Sequence, residues 1–570
     1  MKRTLAFFLA ALMLTGCGSN TIAEVTETTT SVVQEVPLGV IPAENPCPFV
    51  SRFDDTTLIK LSDDGITVEG NEEAVYTSHD IIYYEDKDTY ESGNPYGEGK
   101  AQDKHTAEEA AAHTVVNITQ PGAYTLMGTL SAGQIRVDLG EDAYEDPSAV
   151  VELNLMGVDI TCTVAPAILF LNTYECDGDW SAEEAKPDVD TSAAGANLVL
   201  KSTGNKISGS HVAKIFKDKD SEKKLWKQDG AIYSYMSMNI WGLGSLDLTA
   251  DNEGLGTELH LTINGGDINI YSDNDGINTN EDGVSVTTIN AGNLHIIAGL
   301  GKEGDGIDSN GYLVINGGTV VSSANPASDA GLDSDLGSYI HGGTVIALGS
   351  TMDWAESESG QVTMNLQFAN DQDGSNAIII TDENETPVFA YDPSEDELLG
   401  ENIRRYRGAI VSAPSFTQGA VYHVYTGGTL TGEETGGVYS TVSAYEGSIQ
   451  MQYTGTDMRM GGRDQHPGGG MPELPDGETF PKDWGPAVFT LPEGETTPAD
   501  FDPGHFGGGR GYGEGMEPPE GFGGERPAMP DGDNARPNRG EPGAQAGEAR
   551  TEFYMNDMVN AFSGIQAVTA

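Results

Sequence analysis

The stretch Ile263–Asn280, "INGGDINIYSDNDGINTN", decides the fold because it returns three times downstream in altered form. Ile263, Ile289, Ile315 and Ile340 stand 26, 26 and 25 residues apart. Each opens the same turn: Asn264-Gly265-Gly266, Asn290-Ala291-Gly292, Asn316-Gly317-Gly318, His341-Gly342-Gly343. A second apolar column, Ile268, Leu294, Val320 and Val345, keeps the period, and a looser glycine column runs through Gly230, Gly254, Gly276, Gly306 and Gly331.

A fixed period of this length means one structural unit stacked on its neighbour. Leucine-rich repeats have similar lengths but need L-x-x-L-x-L and a helical return. Here the residues between columns are Gly, Asn, Asp, Thr and β-branched apolars, which resist helix. The pattern predicts an all-β chain built as a parallel β-helix, with inward apolar residues stacked in columns. Asn264, Asn290 and Asn316 would then hydrogen-bond along the stack as an amide ladder, a structural role.

Working outward, the chain has 570 residues, and its 89 acids against 29 Lys and Arg give a net charge of −60. Nucleic acid and anionic membrane surfaces are therefore poor direct partners. The 74 glycines and an aromatic content of 8% favour tightly turning strands over helical bundles. At the N-terminus, Lys2 and Arg3 precede an apolar run too short to span a bilayer, and Leu14-Thr15-Gly16-Cys17 resembles a bacterial lipobox. Lipidation of Cys17 would anchor the chain outside the cell. Cys47, Cys162 and Cys176 remain; Cys162 and Cys176 could close a loop, but an odd count forbids complete pairing, and zinc spacings are absent.

Residues 361–428 alternate apolar and polar between Asn/Asp/Gly turns, which predicts antiparallel strands capping the stack. Beyond residue 455 Gly, Pro, Asp and Glu dominate, a composition that does not support a packed core. Aromatics return in "TEFYMNDMVNAFSGIQ" (Thr551–Gln566), a candidate final strand. Charged insertions fall at Asp177–Asp190 and Lys214–Lys227.

The acids of the repeat are placed where they must crowd. "NDGINTN" (Asn274–Asn280), "GDGIDSNG" (Gly304–Gly311) and "DAGLDSD" (Asp329–Asp335) put Asp275, Asp305 and Ala330 before the glycine. Two residues after the glycine column stand Ile232, Gly256, Asn278, Asp308 and Asp333. Equivalent positions on stacked strands lie about 4.8 Å apart. Carboxylates at that spacing repel, and a divalent cation reverses the sign of the interaction. Hard oxygen donors point to Ca²⁺, with Asp275, Asn278, Asp305, Asp308 and Asp333 as candidate ligands. An EF-hand does not fit, since a loop counted from Asp273 has Ile277 at its fifth position, and the nonapeptide calcium roll has the wrong period. A single Asp-Gly copy is also what a tight turn alone requires.

Four further stretches belong with these repeats: "ITQPGAYTLMGTLSAGQIRVDL" (Ile118–Leu139), "QDGAIYS" (Gln228–Ser234), "QGAVYHVYTGG" (Gln418–Gly428) and "FYMNDMVNAFSG" (Phe553–Gly564). In this order the motifs resemble clostridial and related bacterial lipoproteins known as carbohydrate-binding domain-containing proteins. That resemblance implies a calcium-binding right-handed parallel β-helix, binding of acidic plant-type polysaccharide such as polygalacturonate, and similarity to pectate lyases of polysaccharide lyase family nine. It covers roughly residues 105–450, and it departs at Ala330, where an acid is expected.

The chain is thus expected to divide into a lipoprotein signal peptide (1–16), a lipid-anchored tether (17–50) and a β-helix carbohydrate-binding domain (51–350). An antiparallel cap (351–454), a disordered Gly/Pro/acidic segment (455–550) and a C-terminal strand (551–570) would follow. Three functions compete: calcium-dependent capture of acidic polysaccharide at the cell surface, lyase chemistry by β-elimination, and a structural scaffold or adhesin. A lyase needs a base beside the metal, and between Gln228 and Asn402 the only cation is Lys302. It equally suits a surface lysine offsetting local acid charge. Lys223, Lys224 and Trp226 are candidate glycan contacts, although interleaved acids suit a solvated loop as well.

Overall fold

The computed structural model describes residues 30–38, 48–84, 102–178, 181–182, 185–216, 224–350, 353–456 and 549–568. The expected signal peptide, Cys17, Cys47, Lys223 and nearly all of the Gly/Pro-rich segment lie outside the described residues, as do the side chains of Lys224 and Trp226. Within the described residues the chain is all-β apart from a one-turn α-helix, Ala107–Ala111, started by a Thr106–Glu109 capping box, and three short 3₁₀ turns at Glu72–Ala74, Glu141–Glu145 and Gly400–Asn402.

Each repeat contributes strands to two parallel ladders. In a nine-stranded sheet, Thr114–Ile118, Gly133–Asp138, Ile168–Asn172, Gly230–Ser234, Glu253–Thr257, Ile277–Thr279, Ile307–Ser309 and Leu332–Ser334 follow one another in chain order, all parallel. A larger sheet takes the remaining strands of the same repeats, among them Met238–Gly242, Leu261–Ser272, Val286–Ile297, Tyr312–Ile315 and Gly337–Ile340.

The register follows the sequence period. Ile263 pairs with Ile289, Ile289 with Ile315 and Ile315 with Ile340. Ile268, Leu294, Val320 and Val345 align in the same way. All eight are buried in one continuous core with Ile277, Ile307 and Leu332. Removing each such side chain from water contributes roughly 1.5–3 kcal/mol. The Asn-x-Gly turns bend the strands between columns, and their second glycines sit at positive φ. Gly292 (φ 100°) and Gly318 (φ 82°) also leave no room for a Cβ, which would lie 2.6 Å from Gly266 O and 2.4 Å from Gly292 O.

The glycine column starts one residue out of step. Gly230 pairs with Glu253, and Tyr233, not Ile232, stands opposite Gly256. From Gly254 onward the column is in register, with Gly254, Gly276 and Gly306 each donating to the carbonyl before the next repeat's glycine (Asp275, Asp305, Ala330).

Thr344–Gly349 passes the sheet to antiparallel strands through Tyr406–Ser412 and Thr363–Gln372, which carry aromatic cores of their own. Val559–Ala567 returns to pair with Thr363–Gln372. A correction concerns the expected tether of residues 17–50. Thr30–Pro37 is a strand antiparallel to Val438–Glu446, and Leu38 is buried behind it. Cys162 and Cys176 are both free thiols, so the loop closure open to them is not made.

Candidate functional site

The nine-stranded sheet gathers the predicted acids. Its short strands read apolar–polar–hydroxyl: Ile277-Asn278-Thr279, Ile307-Asp308-Ser309, Leu332-Asp333-Ser334. The apolar and hydroxyl positions are buried, and Thr279 Oγ1 lies 2.9 Å from Ser309 Oγ. Strand alternation therefore sends Asn278, Asp308 and Asp333 to the opposite face, and they stand in register.

Asp275 and Asp305 join them from the preceding turns. Asp305 N–H donates to Asp275 Oδ1 (2.7 Å) and Ala330 N–H to Asp305 Oδ1 (2.6 Å), so the alanine that breaks the acid column still contributes a donor. Asn278 Nδ2 donates to Glu253 Oε1 (3.1 Å) and Asp275 Oδ2 (3.3 Å). Asn278 Oδ1 and Glu253 Oε2 are buried without a partner.

Burial raises the carboxyl pKa across the column, and the neighbouring acids add to it. Asp308 is pushed well up by burial, then Asp275 and Asp333; Asp305 is pushed up by burial, then the same two. Burial and Asp353 raise Asp333, while Asp275 rises to about 6, with burial the largest cause. Neutral pH thus finds a stack of oxygens that the fold alone does not satisfy.

Sequence reasoning missed two groups here. Asp353 reaches the column from beyond the last repeat, outside the period that revealed the others. Lys227 lies one residue outside the interval searched for cations. Its Nζ is 3.2 Å from Asp229 Oδ2 and also donates to Asn280 Oδ1. Burial works against its charge, but Asp229, Glu258 and Glu253 outweigh burial and hold it protonated. Lys302 is exposed. Among the described residues, no three or more His, Cys, Asp or Glu side chains gather around one point as a metal site. The predicted ligands are spread along three successive repeats, two in each of the first two and one in the third, and their donor chemistry, carboxylates with an orphaned amide oxygen, is of the kind that suits a hard cation.

Residues 112–176 and 188–386 match the profile of the carbohydrate-binding domain-containing protein family. These residues include every acid of the repeat column and the parallel strands of the nine-stranded sheet. A carbohydrate-binding domain-containing protein from Acetivibrio thermocellus is 33% identical over 156 residues, 27% of this chain and 44% of the relative. The match thus spans less than half of that relative's length. A solved polysaccharide lyase-like protein from C. thermocellum, a gadolinium derivative, aligns with a TM-score of 0.31 and 21% identity over 54% of this chain and 95% of the other. The carbohydrate-binding resemblance carried by the sequence motifs and the family match agree.

Proposed function

We propose that this chain is a carbohydrate-binding module that captures acidic polysaccharide of the polygalacturonate type through Ca²⁺ held along the acidic column. The supporting observation is the in-register stack of Asn278, Asp308 and Asp333 with Asp275 and Asp305, whose four carboxyls are buried enough to raise their pKa values. A chain of net charge −60 repels a polyuronate. A cation shared between column carboxylates and uronate carboxylates removes both repulsions. Asp275, Asn278, Asp305, Asp308 and Asp333 would hold it, and the ion would supply positive charge directly between these carboxyls.

In this reading the parallel ladders wind as a right-handed β-helix, the hand that parallel crossovers strongly favour. Lipidated Cys17 keeps the module at the cell surface. The module binds without cleaving. β-Elimination needs an unprotonated base beside the metal, and Lys227, a buried cation beside Asp229 and Glu253, is held charged.

The test is co-sedimentation of the mature, unlipidated chain with polygalacturonate in calcium and in chelator, with unsaturated sugar ends assayed in the same samples. Retention in calcium alone, without unsaturated product, is expected. Product that disappears in Lys302→Ala or Lys227→Ala would make the protein a lyase. Retention that ignores the chelator would remove calcium from the account.

A further inference from the structure

The larger sheet carries a second groove, of about 450 Å³, that no part of the acidic column enters. Its floor is made by outward residues of four successive repeats. Asn239, Thr262, Thr288 and Val314 align in one row. Beside them run Trp241, Asn264, Asn290, Asn316 and His341. One wall is the segment 187–192, part of an insertion that sequence alone reads only as charged.

The amide ladder expected from the sequence forms here. Asn290 Nδ2 donates to Asn264 Oδ1 (2.9 Å) and Asn316 Nδ2 to Asn290 Oδ1 (2.8 Å). A primary amide has two N–H donors and two acceptor lone pairs. Each ladder bond uses one donor and one acceptor, so the middle amide keeps one of each for a ligand. The ladder also opens progressively, from Asn264 (4% exposed) through half-buried Asn290 to exposed Asn316. Structural pairing alone does not require that opening into a groove.

Aromatic rings stand at both ends. Trp241 is half-buried and fixed, its indole N–H donating to Asn197 Oδ1 (3.2 Å) and its ring 5.6 Å from Phe49. At the other end the rings of Tyr339 and His341 stack at 6.2 Å with an interplanar angle of 24°. Gly360 N–H donates to His341 Nδ1 (3.0 Å), which places the neutral ring's proton on Nε2 as a further donor. The lining contains no Lys or Arg, and its only acids, Asp188 and Asp190, sit on the wall. Hydrogen bonds from Ser192 keep Asp190 ionised by lowering its pKa. Such a groove repels a polyanion, and it offers ladder amides about one strand spacing apart, near 4.8 Å, between flat apolar faces. Repeated hydroxyls and apolar ring faces are what a neutral sugar polymer presents.

We propose that the groove from Trp241 to His341 is a second glycan site, which takes a chain of uncharged polysaccharide without a metal ion. It rests on the carbohydrate-binding reading above but is independent of the acidic column. The test is affinity electrophoresis of the mature chain through gels containing hydroxyethylcellulose, xyloglucan, galactomannan or polygalacturonate, each run in calcium and in chelator. At least one neutral polymer retards the protein equally in both conditions, and Trp241→Ala weakens that retardation at least tenfold. Asn316→Asp, at an exposed position where folding is not at stake, weakens it severalfold by adding charge, while polygalacturonate retardation in calcium stays unchanged. No retardation by any neutral polymer, neutral retardation lost in chelator, or neutral retardation untouched by both variants overturns the proposal. Failure on polygalacturonate alone overturns the acidic-column reading and leaves this one intact.

Discussion

Two columns of polar side chains run along the same repeats, and they solve the same spacing problem in opposite ways. On the larger sheet, Asn264, Asn290 and Asn316 meet at every repeat and bond head to tail, because an amide is donor and acceptor at once. On the nine-stranded sheet, Asn278, Asp308 and Asp333 stand in the same kind of register, but ionised carboxylates only accept. Stacking amides is self-sufficient. Stacking carboxylates leaves charge that needs a proton or a cation from outside.

The comparison can be broken in several places, and the largest effect is expected from removing calcium. Chelator should abolish polygalacturonate retention by two orders of magnitude or more while leaving the amide face untouched, read by co-sedimentation at matched ionic strength. Next is the shared core, on which both columns depend. Ile289→Ala should cost roughly 2–5 kcal/mol in denaturant unfolding. A cost under about 0.5 kcal/mol would mean that the column of Ile263, Ile289, Ile315 and Ile340 does not carry the stack.

The third expectation concerns pH. A carboxyl whose pKa is raised by folding binds its proton more tightly in the folded state. Its stabilising share is full below the ordinary carboxylate value of 3.8 and is lost as pH rises through the folded value, about 8 for Asp333 and about 9 for Asp305. In chelator the thermal midpoint should therefore fall between pH 4 and pH 9, and calcium should flatten that slope. A midpoint that climbs over this range in chelator would contradict the assigned burial. Asp305→Asn should sharpen the contrast, raising stability in chelator by about 1 kcal/mol and lowering calcium affinity. The smallest effect belongs to Asn290→Ala, which removes two ladder bonds at a half-buried position and should cost about 0.5–1.5 kcal/mol, with no dependence on calcium.

Much of this was legible because it is periodic. The spacing of Ile263, Ile289, Ile315 and Ile340 gives the register of the larger sheet, and the Asp-Gly copies give Asn278, Asp308 and Asp333 on the other. What escaped is whatever the period does not touch. The first repeat shifts by one residue, so Tyr233 stands where Ile232 was expected. Trp241 has no aromatic counterpart in the next repeat, where Asn264 takes its place, so no column announces it. The wall at 187–192 is brought to the groove from another repeat by tertiary packing, as Thr191 shows by bonding both Asn239 and Thr262. Lys227 belongs to the column only because Asp229, Glu253 and Glu258 converge on it, a meeting that spacing along the chain does not reveal.

The most direct test of the central claim is calorimetric titration of calcium into metal-free protein at pH 7, repeated in buffers of different ionisation enthalpy. Carboxyls held protonated by burial and mutual repulsion must release protons when a cation takes their place. The account predicts saturable calcium binding with net proton release, weakened at least tenfold in the double variant Asp305→Asn, Asp308→Asn. Absence of binding, or binding that the double variant leaves unchanged, would contradict it.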